Sequence, residues 1–157
     1  MNIEVRIAKP EEFPEINEIR RMVNDVHVNG RPDIFRAGFC QELQDHVYVQ
    51  AEKEDSDVVV ALVDGEIAGF ATVEYVHRPE SPYNLARDYY HVEEFGVSEK
   101  HRREGVATAL VNYMKEEARA KGFPRIELDM WEFNQGALAF YEAAGFETFR
   151  RYMEIKL

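Results

Sequence analysis

His91-Val92-Glu93-Glu94-Phe95-Gly96-Val97-Ser98-Glu99-Lys100-His101-Arg102-Arg103-Glu104-Gly105-Val106-Ala107-Thr108-Ala109-Leu110 changes period halfway along. Its first part continues a β-forming run from Tyr89 to Val97, in which Tyr90, Val92, Phe95 and Val97 favour a strand. From Arg103 to Lys121 the apolar residues switch to helical spacing, with Val106, Leu110, Met114 and Ala118 on one stripe and Gly122 closing the helix. A strand that runs through a short turn into a helix aims free backbone N–H groups and the positive end of the helix dipole at one point. Gly105 admits close approach to that backbone, Ala107 is too small to block it, and Arg102 and Arg103 add charge. Two readings of the turn stay open on these residues: an anion site, or a basic helix start facing water. No Lys-Ser/Thr pair follows the glycine, so it is not a Walker-type loop, and the glycine triplet of dinucleotide sites is absent.

Outward from this segment the pattern alternates between strands and helices. Ile3, Val5 and Ile7 read as a half-buried strand. A helix is predicted from Pro10 with Ile16, Ile19, Met22, Val23 and Val26 on its inner face, broken at Asn29-Gly30-Arg31-Pro32. A second helix is predicted from Asp33 to about Lys53. Val58 to Val63, Asp64-Gly65 and Glu66 to about His77 form a hairpin whose two-residue turn is of type I′. Residues 79–88 read as a loop. On the far side of the long helix, Arg125 to Trp131 alternates as a strand, and Asn134 caps a helix that ends at Gly145, with Phe133 and Leu138 as its staple. Phe146 to Leu157 is expected to be a final strand or pair of strands. The order β-α-α-β-β-β-α-β-α-β predicts one α/β domain of three layers spanning 1–157.

Composition narrows the function classes. The chain has 157 residues, 45% hydrophobic and 31% charged, within the range of a single globular domain. With Lys+Arg 19 and Asp+Glu 30 the net charge is −11, a field that repels polyanions and argues against general nucleic-acid binding. A cationic or amine-bearing partner suits it better. No apolar run approaches the roughly 20 residues of a membrane span, and no signal peptide is visible at the N-terminus. The single cysteine, Cys40, has no internal disulfide or zinc partner, reads as a core residue, and suits a reducing cytoplasm.

Arg102-x-x-Gly105-x-Ala107, following a strand that ends in Val97, resembles the R/Q-x-x-G-x-G/A signature of the GCN5-related N-acetyltransferase (GNAT) family. Glu127-Leu128-Asp129-Met130-Trp131-Glu132-Phe133-Asn134, followed by Ala137, Phe140-Tyr141-Glu142 and Gly145-Phe146, is similar to that family's later strand and helix. The two motifs and the order of elements extend the resemblance over nearly the whole chain. It implies a three-layer α/β/α fold with a mixed, mostly antiparallel sheet of six or seven strands and a splayed central pair. It implies an acetyl-CoA-dependent N-acetyltransferase that needs no metal. Arg102, Arg103, Gly105, Val106, Ala107 and Thr108 would cradle the pyrophosphate. Phe95 and Val97 would pair with the pantetheine arm and polarise the thioester carbonyl through a backbone N–H. Asn134, Ala137 and Phe140 would line the arm's other side. Glu104 departs from the small or basic residue common at its place.

The implied chemistry needs an acid for the departing thiolate and a path for the amine proton. Tyr141 stands where the family places the acid. Strand alternation puts His91, Glu93, Phe95 and Val97 on one face and Glu94 on the other. Glu93 ranks first as base, His91 second, and Glu94 third, since only a bulge would re-aim it. His27, Arg31, Asp33 and Phe35, around the break between the first helices, are expected to line the acceptor pocket, with Tyr83, Tyr89 and Tyr90 as an opposite wall. The expected acceptor is a small-molecule primary amine and the expected assembly a homodimer. A peptide or protein amine remains an alternative acceptor. A non-catalytic acyl-CoA-binding module, or an interaction domain sharing only the fold, remains an alternative of another class.

Overall fold

The computed structural model describes residues 1–157. Strand β1 (Ile3–Ile7) leads through a 3-10 turn at Pro10–Glu12 into α1 (Phe13–Gly30), and α2 (Gln41–Glu52) follows. Then come β2 (Ser56–Val63), β3 (Glu66–Arg78), β4 (Arg87–Val97), α3 (Val106–Ala120), β5 (Ile126–Leu128) and α4 (Gln135–Ala143). The strands form one sheet in the order β1-β2-β3-β4-β5, antiparallel except for the parallel pair β4–β5. The hairpin turn is as expected, since Asp64 and Gly65 have φ of 49° and 83°.

Two apolar layers flank the sheet. Phe13, Ile16 and Ile19 of α1 and Val47 of α2 pack on Val58, Val60, Leu62 and Phe70. On the opposite face Val106, Leu110, Met114 and Ala118 of α3, the predicted stripe, cover Val59, Ala61, Ala71, Val73, Tyr90 and Val92, and Phe140 and Ala144 join from the α4 side. α1 crosses β4 where Gly96 leaves room. A Cβ there would stand 2.7 Å from Val23 Cγ2 and 3.0 Å from a Phe70 ring carbon. Gly96→Ala is therefore expected to destabilise the fold by about 1–3 kcal/mol through overpacking. The denaturant midpoint should fall with its slope unchanged.

Several boundaries differ from expectation. α2 begins at Gln41, not Asp33, because residues 31–40 turn, with Gly38 at φ 92°. α3 begins at Val106, not Arg103, because Arg103 and Gly105 hold left-handed φ of 64° and 86°. β5 is three residues long, because β4 offers it partners only from Tyr90 to Val92. The sheet has five strands rather than six or seven. No backbone hydrogen bond involves residues 147–157, so the expected last strand has no ladder to hold it. Cys40 is exposed just before α2 rather than buried in the core. Tyr89 and Tyr90 belong to β4 and are buried, so of the expected tyrosine wall only Tyr83 is exposed.

Candidate active site

Beyond Val92 the parallel pair separates, and the edge of β4 from Glu93 to Val97 has no strand beside it on the β5 side. On its other side β4 carries a bulge. Thr72 pairs with Glu94 and Val73 with Val92, which leaves Glu93 as the extra residue. The bulge breaks the expected alternation. Glu93 and Glu94 both face α1 and α2, whereas Phe95 and Val97 join the α3 side. Glu94 thus stands with Glu93 and His91, and Phe95 and Val97 stand opposite them.

The α1–α2 side of the opening is a network of charged and polar groups. Glu93 accepts hydrogen bonds from Gln50 Nε2 at 2.6 Å and Thr72 Oγ1 at 3.1 Å, and lies 2.9 Å from His46 Nε2. Arg20 Nε reaches both oxygens of Glu94, at 3.1 and 3.3 Å. The Arg20 side chain is only 3% exposed and is fixed by Asn17 Oδ1 and the Leu43 carbonyl. His91 turns away to Glu74, 2.9 Å from Nδ1. Donor atoms of His46, Glu93 and Glu94 lie within 4.8 Å of one another, a spacing a cation could bridge; Arg20 supplies positive charge beside Glu94. Sequence reading passed over Arg20, His46 and Gln50. The available signal was a histidine and a glutamine four residues apart, hence on one face of α2.

The α3–α4 side is apolar. Phe95 stacks on Phe140 at 6.2 Å and meets Tyr141 edge-on at 6.1 Å. Tyr141 also packs against Phe146, and burial pushes its phenol up to about 12. The phenol therefore keeps its proton through neutral pH. Asn134 Oδ1 accepts from Ala137 N–H at 3.1 Å and so caps α4 as expected. Phe133, the expected staple residue, lies against Trp131 and His27.

The turn before α3 presents free backbone donors at a helix N-terminus. None of the backbone N–H groups from Arg103 to Thr108 has an acceptor within the chain. The left-handed φ angles of Arg103 and Gly105 curl successive N–H groups into a concave nest at the helix N-terminus. A left-handed arginine carries strain of roughly 1–2 kcal/mol, the kind that gathers at functional turns. Glu104 does not face this nest; it turns back to the buried His101, 2.8 Å from Nδ1. Arg102 and Arg103 are exposed.

The expected acceptor residues divide. His27 stacks on Phe35 at 5.1 Å, and Phe35 meets Trp131 edge-on at 5.0 Å, an aromatic cluster at the end of α1. Burial lowers the His27 pKa, opposed by the charge of Glu94. Arg31, by contrast, is engaged by Asp33 through two bonds of 2.9 Å and by Glu154 at 2.8 Å. The guanidinium holds the Asp33 carboxyl down at about 2.

Comparison with known proteins agrees with this architecture. A model described as the Acetyltransferase (GNAT) family matches residues 20–146. A mouse protein, "Probable N-acetyltransferase family 8 member 5", is 34% identical over 73 residues, 46% of this chain and 32% of its own length. The chain thus spans about a third of that relative. A mutant of the BH1408 protein from Bacillus halodurans superposes with a TM-score of 0.92 at 26% identity, over 98% of this chain and 99% of that one. AAC(6')-Iy, in complex with the bisubstrate analogue CoA-S-monomethyl-acetylneamine, shares the fold with a TM-score of 0.78 at 16% identity, over 100% and 99% of the two chains. With its nest, its splayed strands and a family match over most of its length, this chain belongs to the GNAT family of acetyltransferases.

Proposed function

We propose that the protein transfers an acetyl group from acetyl-CoA to a primary amine of a small molecule, by direct attack in a ternary complex. The observation that carries this reading is the row of unpaired N–H groups from Arg103 to Thr108 beside the open edge of β4. Those donors, with Arg102, Arg103, Gly105, Val106, Ala107 and Thr108 around them, suit a pyrophosphate. The free edge from Phe95 to Val97 suits an extended amide arm, and Asn134, Ala137 and Phe140 stand on α4 or at its cap. Tyr141 on the apolar side acts as acid to the leaving sulfur. The amine approaches from the side of Glu93, Glu94 and the aromatic cluster of His27 and Phe35. Arg31 and Asp33 shape that wall through their mutual pairing. His91, committed to Glu74, has the weakest claim as base.

Small-molecule acceptors are favoured by the neamine-bearing analogue held by AAC(6')-Iy. Calorimetry with acetyl-CoA, followed by thiol release over a panel of small amines and peptides, tests the reading. Binding with turnover only on peptides moves the acceptor class. Tight binding without turnover on any amine makes the chain a CoA-binding module, and no binding leaves only the fold. No helix is long and apolar enough to cross a membrane. The lone exposed thiol fits a reducing cytoplasm.

The protein is further proposed to pair with a second copy. Tyr152 and Met153 are 100% and 87% exposed, and Phe149, Ile155 and Leu157 are also exposed. Met153, Ile155 and Leu157 alternate with Glu154 and Lys156 at strand period. The outer edge of β5 offers them a ladder. Covering these side chains on two copies removes roughly 1,000–2,000 Å² from water, the size of a specific interface. Sedimentation should show a dimer, and Met153→Asp with Ile155→Asp should give a folded monomer. A wild-type monomer overturns this reading.

A further inference from the structure

We infer that His46 of α2 is the base that takes the acceptor's proton, and that Glu93 is its positioning residue rather than the base itself. The inference rests on the acetyltransferase reading above. It follows from where the hydrogen bonds around the bulge are already committed. An ionised carboxylate only accepts, and Glu93 takes donors from Gln50, Thr72 and His46. Glu94 is held through both oxygens by the buried Arg20. His91, bonded to Glu74 through Nδ1, sits where β4 still pairs with β5, below the opening. Both carboxylates at the opening are therefore engaged within the fold, and His91 stands below it.

His46 is different. Because Glu93 can only accept, the proton between them belongs to His46 Nε2, 2.9 Å from the carboxylate. The neutral ring then carries its lone pair on Nδ1, which has no partner in the chain. The His46 side chain is 33% exposed, so that lone pair is open to an amine or to a bridging water. The groups facing the ring are Glu93 and Glu94 from β4, with Arg20 of α1 beyond Glu94. On its own helix, Glu42 and Gln50 stand one turn to either side. Acid and base thus approach from opposite faces of the sheet, since Tyr141 packs on Phe95 from the α4 side. Thr72 and Gln50 keep Glu93 from swinging away when the ring becomes charged.

The proton count closes. The acceptor ammonium gives one proton to Nδ1 of His46, and the freed lone pair forms the C–N bond to the thioester carbon as the C–S bond breaks. The departing sulfur takes the Tyr141 hydroxyl proton. The second N–H proton, lost as the amide forms, restores Tyr141. The first passes to water when His46 resets.

The test uses the full chain with acetyl-CoA and sisomicin, spermidine and 2-phenylethylamine as acceptors, read by thiol release. His46→Gln should lower kcat by about 10²-fold or more, with KM for acetyl-CoA unchanged. It should also erase the acid limb of kcat/KM that protonation of the base imposes. Glu93→Gln should keep only a weaker limb, because the imidazolium loses its counter-charge. A merely structural Glu93 would leave the limb in place. Ring ¹⁵N spectra at pH 8 should show Nε2 protonated and Nδ1 bare in the unaltered protein. His46→Gln with full kcat and an intact limb, or an Nδ1–H tautomer at pH 8, overturns the role of His46 alone. Acetyl-CoA binding with no acetylation of any of the three amines overturns it together with the small-amine reading.

Discussion

Tyr141→Phe lowers kcat for acetyl transfer by about 10²-fold or more, the range lost with a general acid, and leaves acetyl-CoA affinity nearly unchanged. The effect is separable because the ring and the hydroxyl do different things. The ring packs against Phe95, Phe140 and Phe146, with centroids 5.6–6.1 Å away, and phenylalanine keeps all three contacts. The hydroxyl makes no hydrogen bond within the chain, so its loss leaves no partner stranded. Burial holds the phenol near 12, above its ordinary value. A raised pKa means that the acid stays protonated as pH climbs and is lost only near 12. The kcat profile of the unaltered enzyme should therefore show no alkaline limb from Tyr141 below about pH 11, one unit beneath that value. A sulfur leaving into the same apolar surroundings is likewise disfavoured as an anion, which keeps proton transfer from so weak an acid feasible. Thiol-release rates over pH, with calorimetry as the binding control, check this. Unchanged turnover in Tyr141→Phe removes the hydroxyl from the mechanism.

Changing Arg102 and Arg103 together to Ala weakens acetyl-CoA binding by about 10²-fold or more, at roughly 1.5 kcal/mol or above for each charge-assisted contact. The loss shrinks as salt rises, because both side chains are exposed and screened. Fold stability should barely change, since neither guanidinium is buried and Arg102 has only weak contacts at 3.7 and 3.8 Å. Gly105→Val tests the backbone with both arginines in place. The nearest atom to a Cβ at Gly105 is 3.9 Å away, so the substitution meets no wall. It fails on conformation instead, because φ is 86° and a β-branched residue resists that region. Reorienting the N–H groups of residues 105–107 should weaken binding at least about tenfold, the equivalent of the 1–2 kcal/mol left-handed penalty. Calorimetric titration of the three proteins decides the matter. Equal affinities in all three would place the anion elsewhere.

Local chemistry determined much of this protein from sequence alone. The strand and helix periods, the Asp64-Gly65 turn, the Asn134 cap and the Arg102–Ala107 turn each depend on neighbours within a few residues. Such patterns are properties of the chain itself, so a linear reading recovers them, and with them the family. The carboxylate end of the site came from tertiary structure. Nothing in Val92-Glu93-Glu94-Phe95 announces a bulge; it arises because β3 pairs Thr72 with Glu94 and Val73 with Val92. That one extra residue turns both carboxylates to the same face. His46 meets Glu93 only because α2 docks on the sheet, 47 residues away in sequence. The exposed tail shows the same division, since its alternation was legible but a strand also needs a partner edge. Periodicity is written along the backbone, whereas register and long-range pairing exist only after packing has chosen which surfaces meet.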